Sequence, residues 1–237
     1  MLLAFLETPQ RWEGLTVFPV VAADEPELSY LLLADAMETG VLTISENEPG
    51  EPPHLVALNR GPVPVLVLDC ETVSRAGCGY ASDQSVLLGP RGVTRIPLSC
   101  RDTRKWSCRE GERRFSSDLS HFPMVEDQVG VLAFMGRQFL GMDALGSPSL
   151  YSRLHRRLLT GYLLTAVAAA GESWLEPPAE QDDVECLAWA LEVAQRHPTP
   201  YVGHGEYTVL DGLVAGGELR HNGNLVHLSV FPRGVEA

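Results

Sequence analysis

Two strongly helical segments lie late in a 237-residue chain, flanked on both sides by stretches that read as β-strands. Strands, then two helices, then strands is not the strand–helix alternation of a doubly wound parallel sheet. The order predicts an α+β fold instead. It is mainly antiparallel sheet or sandwich, covered on one side by helices. One short N-terminal helix and two longer helices in the C-terminal half complete it, and residues 1–237 form a single compact domain.

The late helices carry the clearest signals. Ser147-Pro148 supplies an N-cap and a first-turn proline. Leu150, Leu154, Leu158 and Tyr162 then repeat every four residues, with Arg153, Arg156 and Arg157 off that stripe, until Gly171. A second helix is expected after Pro177-Pro178. Asp182 and Asp183 stand early in it and Arg196 and His197 late, which suits the helix dipole. Leu187, Leu191 and Ala194 form its buried face and Pro198 stops it.

The strands are cut by turn residues. Leu15–Ala22 is an apolar run interrupted by Pro19. Arg60-Gly61-Pro62 between His54–Asn59 and Val63–Leu68 suggests a hairpin, and Gly89-Pro90 between Ser85–Leu88 and Val93–Cys100 suggests another. A helix is expected from Glu27 to Thr39, stopped by Gly40, with Val41–Ser45 a strand after it. Val129–Phe134 and Phe139–Met142 pair around Gly136. Strands Tyr207–Leu210, Glu218–His221 and Leu225–Phe231 close the chain, the last two joined at Asn222-Gly223. The polar stretch from Cys100 to Ser120 reads as a long surface loop, mobile or functional around 101–120.

Composition narrows the classes of function. Eighteen basic against 31 acidic residues give a net charge of −13. Such a surface repels phosphate backbones and anionic bilayers, so neither nucleic acid nor membrane is an expected partner. Lys105 is the only lysine. The five cysteines, Cys70, Cys78, Cys100, Cys108 and Cys186, contain no Cys-x-x-Cys pair. Cys70 and Cys78 share the separation of Cys100 and Cys108, which is wider than paired ligands of structural zinc usually show, so no metal is expected. Met1–Leu6 is too short and lacks the preceding basic residue of a secretory signal, so a cytoplasmic setting with free thiols is expected. The apolar run from Leu158 to Gly171 falls short of the ~20 residues that span a bilayer.

Known catalytic motifs are absent from the sequence. Gly203-His204-Gly205 and the glycines from Gly212 to Gly217 open no helix, so they are turns rather than phosphate cradles, and no cofactor is implied. No Gly-x-Ser-x-Gly elbow occurs. His204, His221 and His227 fall in the last strands without metal-ligand spacing, and read as satisfied or exposed histidines. The most site-like residues are Asp69 and Glu71, two apart at a strand end, and Asp102, Arg104, Lys105 and Trp106, which follow another. Carboxylates beside a basic group and an aromatic ring can hold or protonate a polar ligand. The same residues would equally form a solvated ion-pair rim.

These stretches resemble a known family, the ARG-and-rhodanese-phosphatase-associated protein domain, first form. The resemblance runs through Leu15-Thr16-Val17-Phe18-Pro19, Tyr30 to Glu46, Asn59 to Leu68, and Val86 to Trp106. In the last segment Ile96, Pro97, Ser99, Cys100, Asp102 and Trp106 are in register and Lys105 stands where arginine is usual. Gly141, Asp143, the helix from Ser147, and Val226-His227-Leu228 with Phe231 also fit. The family's Gly-Glu-Glu-Leu is Cys70-Glu71-Thr72-Val73 here, and its Ala-Lys-Gln-Asn-Arg is Ala76-Gly77-Cys78-Gly79-Tyr80. Only Glu71 survives of that polar cluster, which implies a divergent member whose ancestral site has decayed or changed ligand.

The resemblance implies a nucleotide or ADP-ribose-linked ligand through the company named in the family's title. The leading expectation is a non-catalytic binding or regulatory module, with Glu71, Cys100, Asp102, Lys105 and Trp106 as ligand-binding residues. The alternatives are a hydrolase acting on a small phosphorylated or ADP-ribosyl compound, and a structural partner in an oligomer; a protein partner or a homo-oligomer is among the expected associations.

Overall fold

In the computed structural model, residues 6–22, 29–46, 54–69, 73–75, 78–80, 84–97, 114–169 and 176–233 are described. The fold is α+β and mostly antiparallel, as its element order predicts. Its frame is an eight-stranded sheet. β1 (Gln10–Trp12) and β2 (Leu15–Val21) turn at Glu13-Gly14, both at positive φ (43° and 76°). Between β2 and the C-terminal strands the chain builds a smaller sub-assembly: β3 (Leu31–Leu32), α1 (Leu33–Glu38), β4 (Leu42–Glu46), β5 (His54–Asn59), β6 (Val65–Val67), β7 (Val73–Arg75), β8 (Cys78–Tyr80), β9 (Val86–Leu88) and β10 (Gly92–Pro97). It then returns to the frame with β11 (Gln128–Met135) and β12 (Gln138–Leu145). Helices α2 (Pro148–Ala169) and α3 (Gln181–Val193) follow, then β13 (Gln195–Pro198), β14 (Glu206–Asp211), β15 (Val214–His221) and β16 (Asn224–Pro232). The large sheet runs β1-β2-β11-β12-β16-β15-β14-β13.

The two long helices cover opposite faces of this sheet rather than one. From Val131 to Met135 β11 alternates: Val131, Ala133 and Met135 join the core under α2, with Leu154, Leu158 and Tyr162. Leu132 and Phe134 join the core under α3, with Val184, Leu187 and Ala190. Every residue of β11 is buried, which a single helical layer could not achieve. The stripe Leu150, Leu154, Leu158 and Tyr162 is 7%, 5%, 1% and 4% exposed, so the four-residue repeat names the buried face of α2. α3 ends at Val193, before the expected stop. Gln195–Pro198 is an exposed edge strand paired to β14, because Ala194 turns extended.

The sub-assembly departs from the hairpins expected of it. β5 pairs with β4 and β10, and β6 with β3 and β9, so the expected hairpin partners β5 and β6, and likewise β9 and β10, sit in different sheets. The reason is burial. Leu66, Leu68 and Leu87 enter the α2-side core, while Val65, Val67, Val86 and Leu88 enter a third core with Leu33, Ala36, Leu55 and Ile96. β6 and β9 therefore form a middle layer buried on both faces, with the β4-β5-β10 sheet outside it. The N-terminal helix is also shorter than expected, since Leu31–Leu32 pair in parallel with β6 before α1 begins. Within the stretch read as a surface loop, Phe115 and Leu119 are buried, and Asp118–His121 form a 3-10 turn. The hairpins at Gly136 and at Asn222-Gly223 form where expected, the latter with φ of 51° and 78°.

Candidate functional site

Alternation in β12 and β16 sends a set of polar side chains inward. Met142 and Ala144, like Leu228 and Val230, face the α3 side. The intervening Asp143, His227 and Ser229 therefore face the α2 side. Asp143 stands directly opposite Ser229, and Leu145 opposite His227, in the antiparallel register. The middle layer contributes from above: Asp69 follows the end of β6 and Ser85 precedes β9. α2 contributes Tyr162.

These residues form one hydrogen-bonded cluster. The Asp69 amide donates to Ser85 Oγ at 2.9 Å, and the Ser85 hydroxyl donates to Asp69 Oδ1 at 3.2 Å. Ser229 Oγ donates to Asp69 Oδ2 at 3.0 Å. Ser85 Oγ lies 2.8 Å from His227 Nδ1. With the serine proton committed to Asp69, Nδ1 of His227 carries a hydrogen and donates to Ser85. His227 Nε2 then faces Asp143 Oδ1 at 3.3 Å, and Tyr162 donates its hydroxyl to Asp143 Oδ2. Burial pushes the Tyr162 phenol far above its ordinary value, and the Asp143 charge and hydrogen bond push it further, so it serves only as a donor. Asp69, Ser85, Asp143, His227 and Ser229 are 6%, 1%, 1%, 2% and 3% exposed.

The order Ser85–His227–Asp143 follows the wiring of a nucleophilic triad, yet the chemistry differs. Ser85 Oγ is sealed in the core and already engaged by the amide and carboxylate of Asp69. A nucleophile needs substrate access and an oxyanion pocket beside it. This cluster is instead a polar hub that ties the end of β6 to the large sheet.

A second polar chain, also beneath α2, is fully satisfied. Gln128 donates to the Tyr151 hydroxyl, which reaches His155 Nδ1 at 2.8 Å, and His155 Nε2 donates to the Phe122 carbonyl at 2.9 Å. Two cavities adjoin these layers. One of about 30 Å³ touches Asp143, Tyr162 and Phe231. The other, of about 210 Å³, lies between Tyr30, Leu87, His221, Asn222 and Asn224.

Of the residues expected to bind ligand, Glu71, Cys100, Asp102, Lys105 and Trp106 all lie outside the described residues. Asp69, which sequence spacing paired with Glu71, lies within them and is the pivot of the buried hub. Asp143, Ser85, Ser229 and Tyr162 had no sequence signal as site residues. His227 was read only as a loose strand histidine.

This architecture defines an antiparallel α+β domain organised around a buried carboxylate–histidine hub. The chain belongs to the family described as ARG and Rhodanese-Phosphatase-superfamily-associated Protein domain, whose model matches residues 5–123 and 112–231. No curated protein and no solved structure matches it. Among the described residues no helix is long and apolar enough to cross a membrane.

Proposed function

We propose that the chain is a non-catalytic binding or regulatory module whose ligand, a nucleotide or ADP-ribose-type compound, sits over the end of β6. The observation that carries this reading is the anchoring of Asp69. Its carboxylate accepts from Ser85 and Ser229 and its amide donates to Ser85, so the backbone two residues before Glu71 is held by both sheets. Ligand contacts gain from such rigid support behind them. In this reading Glu71 and Asp102 accept from ribose hydroxyls, Lys105 meets a phosphate, Trp106 stacks on the base, and Cys100 lines the contact. A phosphorylated ligand approaching a chain of net charge −13 needs a local cation, and Lys105 supplies one. The family's description, with its ARG and phosphatase associations, supports this ligand class. The sealed Ser85 supports binding over hydrolysis.

The test is thermal unfolding with ADP-ribose, ADP and AMP, with chromatography of the same samples for product. At least one ligand should raise the midpoint of the wild type, with no product formed. Glu71→Gln and Trp106→Ala should lose the rise. No rise with any of the three sinks the proposal, and product formed by the wild type but not by Glu71→Gln replaces it with a hydrolase.

A further inference from the structure

The geometry points to a divalent-cation site built from Asp143, His227 and Asp69, independent of any organic ligand. The observation behind it is Asp143 Oδ1. This carboxylate oxygen belongs to a side chain 1% exposed, and it accepts no hydrogen bond. It is aimed at Nε2 of His227, 3.3 Å away. The contact of His227 Nδ1 with Ser85 Oγ, at 2.8 Å, turns the Nε2 edge of the ring toward the carboxylate. A buried carboxylate oxygen facing a ring nitrogen calls for positive charge between them, which a bound cation supplies as well as a ring proton does.

The spacing suits a metal ion. Ligands about 2.1 Å from a tetrahedral centre stand about 3.4 Å apart along an edge, close to the observed separation. One ligand atom from each of Asp69, Asp143 and His227 can be chosen so that all lie within 4.8 Å of one another. The surrounding hydrogen bonds are those that orient metal ligands. His227 donates through its other nitrogen, Asp69 accepts from Ser85 and Ser229, and Asp143 accepts from Tyr162. The cavity of about 30 Å³ beside Asp143 has room for one water as a further ligand. One imidazole with two carboxylates suits a first-row divalent ion such as zinc or manganese better than an all-oxygen ion such as calcium.

The full chain, stripped with chelator and desalted, is titrated calorimetrically with zinc and with manganese. We expect one equivalent to bind, roughly 100-fold weaker binding in Asp143→Asn, and roughly 10-fold weaker binding in Tyr162→Phe, which acts through Asp143. Circular dichroism checks that the variants fold. No binding by the wild type, or unchanged affinity in folded Asp143→Asn, overturns the site. Should Asp143→Asn not fold, zinc K-edge absorption of the wild type decides: nitrogen and oxygen neighbours with an imidazole signature support it, and sulfur neighbours refute it.

Discussion

Replacing Tyr162 by Phe removes one hydroxyl from the hub and leaves the ring that packs under α2 intact. That hydroxyl is the donor to Asp143 Oδ2, in a site where Asp143 is 1% exposed. A hydrogen bond to an ionised group contributes about 1.5–3 kcal/mol, and removing the donor leaves the acceptor buried and unmet. The neighbouring cavity of about 30 Å³ can admit a water that offsets part of this loss. The expected cost is therefore about 2–3 kcal/mol. For a chain of this length it corresponds to a fall of roughly 5–10 °C in midpoint. The sharper form is a double-mutant cycle with Asp143→Asn, measured by urea unfolding in chelator with tryptophan fluorescence as the probe. With the charge removed, the hydroxyl contributes only about 1 kcal/mol, so the cycle should show coupling of about 1–2 kcal/mol. If Tyr162→Phe costs under about 0.5 kcal/mol, or the two changes simply add, Asp143 is not the ionised acceptor described here.

Two further outcomes follow from the core. A Cβ on Gly141 would lie 2.8 Å from the Phe231 ring and 3.0 Å from Tyr162; Gly141→Ala should cost about 1–3 kcal/mol of overpacking by urea midpoint, and a neutral result would mean the rings have room to move. His155 has its pKa lowered, first by burial and then by Arg156, against the opposing bond to the Phe122 carbonyl. The unfolded chain takes up that proton first, so this stability is fully present above about pH 6.5 and is lost as pH falls through the lower folded value. Urea midpoints should fall between roughly pH 7.5 and pH 5.5, and His155→Gln should flatten the slope; an unchanged slope assigns the effect elsewhere.

What sequence made legible was local. The stripe from Leu150 to Tyr162 names the buried face of α2 because helix period and packing face coincide. Asn222-Gly223 names the last hairpin because its positive φ values demand such residues. Partner choice among the short middle strands was not legible. Arg60-Gly61-Pro62 looks like a hairpin turn, yet the chain uses it to cross from the β4-β5-β10 sheet to the layer beneath. Two-sided burial decides this, and residues separated widely along the chain set it. The hub was hidden for the same reason. Ser85 and His227 meet across 142 positions, and Asp69 and Ser229 across 160. No short spacing marks such a set, and a lone Asp143 in an apolar strand gives no hint of partners three elements away.

The most direct test of the hub as a cation site is anomalous diffraction at the zinc edge from crystals grown with zinc. A single core peak about 2.0–2.2 Å from both Asp143 Oδ1 and His227 Nε2 is the predicted result. A peak only at the neighbouring His204 and His221 rings, 4.5 Å apart at their centres, or no peak in the core, would contradict it.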